Sequence, residues 1–278
     1  MKNNFRLKGS VSMQVKKIQL NDSSFLEAYI ADKTLEYTRK AILIIPGGAY
    51  QMICSDREGE PIALGFMPYG FNAFVLHYSV DGKKAFPSQL IEASLAMKYI
   101  RDNADELGID SRDIYVAGFS AGGHLAACLG TMWDNEEIYS QINMPKGYNK
   151  PKGMILIYPV ISGISDHSHK NSFENLLLTP NPDEDMLKKC SIEFNVSPSS
   201  CPAFILHTVT DELVPVQNSL ILADAYSKLS LPYELHIYPN GVHGFSLGNK
   251  ITWQGEDERI INDNFDWIKM AVNWANNL

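Results

Sequence analysis

Six short apolar runs punctuate this chain, and helical patterns lie between them, an alternation that leaves few folds open. The runs are Ala41–Ile45, Phe74–Tyr78, Ile114–Ala117, Met154–Tyr158, Phe204–His207 and Tyr233–Tyr238. Most are continuous rather than alternating, as expected of strands covered on both faces. Between two of them, Leu90, Ala93, Met97, Ile100, Ala104 and Leu107 recur at helical spacing as one apolar stripe, which Gly108 should end. Ile261, Phe265, Ile268 and Val272 repeat that stripe near the C-terminus. The alternation predicts an α/β fold, a mostly parallel twisted sheet with helices on both faces. The more polar segments Val11–Ile18 and Phe25–Ile30 predict an N-terminal antiparallel edge hairpin.

The rhythm breaks once. Residues 159–200 carry no clear strand, only Leu176-Leu177-Leu178 and a short helical piece at Asp185–Cys190. Within a single domain spanning 1–278, a segment of that length reads as a lid or binding loop. The net charge of −8 speaks against nucleic acid or an anionic membrane surface, since both require a basic face. Met1–Lys8 has lysines but no apolar stretch behind them, and no run approaches the length of a membrane span, so the expected location is cytoplasmic. The four cysteines, at 54, 128, 190 and 201, lack metal-ligand spacing and read as free thiols in a reducing compartment.

The third run leads directly into Gly118-Phe119-Ser120-Ala121-Gly122 and then into the helical pattern Gly123–Leu129. The pentapeptide alone arises by chance in roughly one chain in ten of this size. A strand before it and a helix after it add the specificity. That order presents a serine hydroxyl on a sharp turn, with the first helical N–H groups aimed at whatever reacts there. Such a hydroxyl needs a base, and the base needs an orienting acid, both at the carboxyl ends of later strands. Asp211 follows the fifth run, with a helix expected to start at Glu212–Pro215, and His243 follows the sixth between Gly241 and Gly244.

Other assignments compete. Asp211 could simply cap a helix, with Glu212 or Asp166 as the acid. His77, His124, His167, His169, His207 and His236 are rivals to His243. Of these, His124 should pack behind the serine, and His207 should be a core histidine. His167 and His169 form an H-x-H pair without further ligands, so no metal is expected. Oxyanion donors are expected from the amides of Gly48 and Ala49, at the end of the first run, and of Ala121. Tyr50 and Glu58 either line a substrate cleft or are ordinary loop residues. Trp133, Trp253, Trp267 and Trp274 read as packing residues rather than sugar platforms.

The segments Pro46-Gly47-Gly48-Ala49-Tyr50, Glu58-Gly59, Phe86-Pro87, Gly118–Ala126, Asp211–Pro215 and Gly241–Phe245 together resemble the α/β-hydrolase superfamily. They look most like the esterase group that includes acetyl xylan esterases and related small carbohydrate esterases. Two departures stand out. Ala49 replaces a third glycine but keeps its N–H, and Pro46 stands where lipase-like relatives carry histidine. The resemblance implies the α/β-hydrolase fold, serine-based hydrolysis of a carboxylic ester, and no cofactor. It further implies a small-molecule ester partner with a short acyl group, such as an acetylated xylo-oligosaccharide. A peptidase of the prolyl-oligopeptidase kind shares the residue order, but such chains usually add a propeller that this sequence lacks. A non-catalytic binding protein would ordinarily have lost one of the three residues. Homo-oligomer formation is left open.

Overall fold

Adjacent residues of a strand point to opposite faces of its sheet. Ile42 and Ile44 therefore enter one apolar cluster while Leu43 and Ile45 enter another, and all four are fully buried. This is why the run is continuous. The computed structural model describes residues 13–33, 37–136, 140–255, 261 and 265–278. Met1–Lys8, and the first two residues of the expected strand Val11–Ile18, lie outside these.

Among the described residues eight strands form one sheet: β1 (Met13–Gln19), β2 (Phe25–Ala31), β3 (Arg39–Ile45), β4 (Phe71–His77), β5 (Ile109–Phe119), β6 (Met154–Ile157), β7 (Ala203–Thr208) and β8 (Tyr233–Tyr238). Their order is β1-β2-β4-β3-β5-β6-β7-β8. The β1/β2 hairpin is antiparallel, β2 joins β4 antiparallel, and every later pairing is parallel. This is the α/β-hydrolase fold. Among the described residues the helices are α1 (Ser55–Glu58), α2 (Glu60–Phe66), α3 (Ser88–Asp102), α4 (Ala104–Leu107), α5 (Ala121–Thr131), α6 (Lys170–Leu177), α7 (Glu184–Cys190), α8 (Gln217–Lys228) and α9 (Trp267–Asn276). Residues of α3, α5 and α8 pack in the cluster that holds Leu43; residues of α2 and α9 pack in the cluster that holds Ile42.

Three boundaries differ from the sequence expectation. The stripe from Leu90 to Leu107 is buried throughout, but the helix breaks at Asn103, whose side chain donates back to the carbonyl of Tyr99. The C-terminal helix starts only at Trp267, because the Asp266 side chain accepts from the Lys269 N–H and caps it. Ile261 and Phe265 still pack against that core from outside the helix. Third, β5 extends back to Ile109 through the polar stretch Asp110–Asp113, with a register irregularity opposite Arg39 and Ala41 that no apolar pattern signals.

Residues 159–200 fold as α6, α7 and a 3-10 turn at Ile192–Phe194, with no strand among them. Phe173, Leu176 and Ile192 anchor the segment in the core. Among the described residues, no helix is long and apolar enough to cross a membrane.

Candidate active site

Ser120 lies between β5 and α5 at φ 52° and ψ −121°. For a non-glycine residue that conformation costs of order 1–3 kcal/mol. Three backbone hydrogen bonds hold it: its N–H donates to Ile157 (3.2 Å), and its carbonyl accepts from His124 and Val160 (3.1 Å each). Gly122 is needed for space, since a Cβ there would lie 2.1 Å from the carbonyl oxygen of Ile45. The end of β3 can thus press directly against the start of α5.

The structure brings Ser120, His243 and Asp211 together. Nε2 of His243 is 2.7 Å from Oγ of Ser120, and Nδ1 is 2.7 Å from Oδ2 of Asp211. A carboxylate can only accept, so Nδ1 carries the hydrogen and Nε2 is left to accept from the serine hydroxyl. Asp211 divides its two oxygens. Oδ1 accepts from the N–H groups of Leu213 and Val214, at 3.1 and 2.9 Å, while Oδ2 faces His243. The capping reading is therefore half right. Asp211 ties down its own turn, but the helix starts later than expected, at Gln217. Glu212 and Asp166 are exposed.

His207 is fully buried in β7, as a core histidine should be, and it also serves the aspartate. Its Nε2 donates to the carbonyl of Val214 at 2.9 Å and lies 3.3 Å from Oδ2 of Asp211. Nδ1 then accepts from the Ser219 hydroxyl at 2.7 Å. Burial alone would raise the pKa of Asp211. The hydrogen bonds from His207 and His243 outweigh it and hold the carboxyl well below the usual range. His207 and Asp211 are only four residues apart, but their contact depends on the turn after β7, which no sequence pattern marked.

The loop after β3 crosses in front of Ser120. A Cβ on Gly47 would meet Cβ of Ser120 at 2.9 Å and the carbonyl oxygen of Phe119 at 2.8 Å. Gly48 (φ 128°), Ala49 (φ 54°) and Tyr50 (φ 58°) then turn the backbone sharply. Asn175 of α6 donates to the carbonyl of Ala49 at 2.8 Å, so residues 159–200 brace this loop. Gly48, Ala49, Ser120 and His243 border one cleft of about 220 Å³, with Met52 and Leu213 among its walls. Ala121 is the first residue of α5, where a backbone N–H has no partner within the helix.

Tyr50 and Glu58 sit behind that loop. Tyr50 is buried, and its hydroxyl donates to Nδ1 of His124 at 2.7 Å. Nε2 of His124 donates to the carbonyl of Cys190, and burial drives the pKa of this ring down to about 4. His124 thus packs behind the serine as expected, and Tyr50 does not line the cleft. Glu58 reaches the cleft wall, yet it is buried and its Oε2 accepts from the Gly47 N–H at 2.7 Å. Sequence reasoning missed Tyr158, which follows β6. Its ring packs edge-on to His243, with centroids 5.0 Å apart, and its hydroxyl accepts from the Ser246 N–H at 3.1 Å. The H-x-H pair divides: His167 is exposed, whereas His169 lines the cleft. Trp267 and Trp274 are packing residues, and half-buried Trp133 donates to the carbonyl of Ser199.

The fold defines the class: an α/β-hydrolase, related to carbohydrate esterases. The chain belongs to the BD-FAE family, whose model matches residues 26–226. It is 36% identical over 224 residues to endo-1,4-beta-xylanase B of Butyrivibrio fibrisolvens, covering 78% of this chain and 34% of that protein. It is 32% identical over 234 residues to the acetylxylan esterase of Xylanibacter ruminicola, covering 83% of this chain and 45% of the other. The chain thus spans less than half the length of these two relatives. Among solved structures, an acetyl ester-xyloside bifunctional hydrolase from Caldicellulosiruptor lactoaceticus superposes with a TM-score of 0.78 at 31% identity. That match covers 94% of this chain and 96% of the other.

Proposed function

We propose that the chain is a serine carboxylic-ester hydrolase that removes short acyl groups, acetyl above all, from sugar esters. The unbroken hydrogen-bonded series from Ser120 through His243 to Asp211 carries this reading. His243 takes the proton of Ser120 as Oγ bonds to the ester carbonyl carbon. The amides of Gly48, Ala49 and Ala121 receive the oxyanion, each such donor being worth roughly 3 kcal/mol of barrier. The C–O bond to the alcohol breaks, and His243 returns the proton to the leaving oxygen. Water, deprotonated by the same imidazole, then releases the acid from the acyl-enzyme and regenerates Ser120. Asp211 fixes the tautomer of His243 and stabilises its charged form.

Two observations support the substrate class. The cleft of about 220 Å³ is smaller than the ~300–1,000 Å³ of sites for drug-sized ligands, which favours a small ester. Relatives named as acetylxylan esterase and acetyl ester-xyloside hydrolase act on acetylated sugars. Residues 159–200 serve in this reading as a fixed wall of the site within one domain.

The test is hydrolysis of p-nitrophenyl acetate, butyrate and octanoate beside acetylated xylo-oligosaccharides. Wild type should prefer acetate, and Ser120→Ala should be inactive. Asp211→Asn should keep its turn, because the amide oxygen can still accept from Leu213 and Val214, yet lose up to about 10⁴-fold in kcat. Turnover by Ser120→Ala equal to wild type would end the serine mechanism. Preference for octanoate would end the deacetylase assignment.

A further inference from the structure

The histidines around this site differ in how many ring nitrogens the protein occupies. In His124, His207 and His243 both nitrogens have protein partners. In His169 only Nδ1 does, 2.8 Å from Oγ of Ser172. Nε2 has no partner among the described residues, and it is not among their buried unpaired atoms. The residue sits at the start of α6 and lines the cleft beside Ser120 and His243. It is thus the contribution of residues 159–200 to the cleft surface.

The protonation of this ring follows from its neighbours. Ser172 is buried, with no other side-chain hydrogen bond among the described residues, so its hydroxyl hydrogen is satisfied by donating to Nδ1. The ring hydrogen is then on Nε2. Burial, reinforced by nearby His243, lowers the pKa of His169 and keeps the ring neutral near pH 7. A neutral, pre-positioned N–H suits an uncharged oxygen acceptor. Met52 and Leu213 give the cleft apolar walls beside the polar Gln51 and Glu58, and the terminal nitrogens of Arg57 are engaged by Cys54 and Asp56, its Nε alone being unpaired among the described residues.

We propose that His169 is a specificity residue whose Nε2–H hydrogen-bonds a hydroxyl oxygen of the substrate next to the reacting ester. The ligand class this selects is the partly acylated polyol or sugar, as against a simple alkyl or aryl ester. The proposal rests on the ester-hydrolase reading above and deepens it. His169 reads the alcohol portion of the substrate and takes no part in proton transfer at Ser120.

The experiment compares kcat/KM on p-nitrophenyl acetate, which has no neighbouring hydroxyl, with that on monoacetylated xylobiose. It uses wild type, His169→Ala, His169→Asn and Ser120→Ala. His169→Ala should lose about tenfold on acetyl xylobiose, the value of one hydrogen bond, and stay within about twofold of wild type on the aryl ester. His169→Asn, which keeps an N–H donor, should recover part of the loss. Equal losses on both substrates, no loss on either, or a wild type that ignores acetyl xylobiose would overturn the proposal. Ser120→Ala separates the two readings. If it is inactive on the aryl ester, the serine mechanism survives failure of the His169 assignment; if it is active, the mechanism itself fails.

Discussion

The hydroxyl of Tyr158 donates to Oε1 of Glu58 at 2.9 Å across 100 residues of sequence. Because the other oxygen of Glu58 holds the Gly47 N–H, and Tyr158 holds the Ser246 N–H, one buried carboxylate links the loop in front of Ser120 to the loop that carries His243. Burial raises the pKa of Tyr158 well above the usual phenol value, with Glu58 adding to the shift, so the phenol remains a donor. The site thus has two frames. His243 and Asp211 bond to each other, and Glu58 and Tyr158 hold the backbone around them.

Glu58→Gln should expose that second frame. The amide can accept only at one oxygen, and its NH2 meets a donor where Glu58 had an acceptor. A buried donor left unpaired costs about 1–3 kcal/mol, so urea denaturation should show a loss of that size. Movement of the Gly47 loop should lower kcat more than tenfold while KM changes less than threefold. A variant with wild-type kcat would show that the bridge does not position the site.

His124 should make the fold acid-sensitive. Its pKa falls from an ordinary 6.5 to about 4 on folding, because the ring is desolvated. Between those values the unfolded chain binds a proton that the folded chain does not. The stability contribution is therefore full above pH 6.5 and is lost as pH falls toward 4, by about 3 kcal/mol over the window. His124→Gln should be less stable at pH 7.5 but show a flatter decline to pH 5 in chemical denaturation. Identical slopes for wild type and variant would remove His124 as the source.

Gly47→Ala tests how closely the loop and the serine are packed. The new Cβ would press on Cβ of Ser120, the carbonyl of Phe119 and Oε2 of Glu58, all within 3.0 Å. The first two cannot swing aside, and the third, though a side-chain terminus, belongs to a carboxylate held by the Gly47 N–H and the Tyr158 hydroxyl. Overpacking of this kind costs about 1–3 kcal/mol. The displaced amides of Gly48 and Ala49 should lower kcat on p-nitrophenyl acetate about 100-fold, the scale of one misplaced oxyanion donor. A variant that matched wild type in both melting temperature and kcat would show that the loop can yield without consequence.

What the amino-acid order determined by itself is local and periodic. Continuous apolar runs mark strands buried on two faces, a stripe at helical spacing marks α3, and a serine between glycines after a strand marks the turn before α5. These follow from backbone geometry and from which side chains water rejects, so neighbours in sequence suffice to read them. The residue order Ser120, Asp211, His243 was legible for the same reason, since each lies just past the end of a strand. Only the tertiary structure decided that β4 inserts between β2 and β3, that Tyr158 meets Glu58, and that His207 shares the aspartate. It also decided that Tyr50 turns inward while His169 faces the cleft. Those contacts join residues far apart in the chain or on opposite sides of a loop. Their existence depends on which strand edges pair and which helices cover them, and no local pattern of residues carries that information.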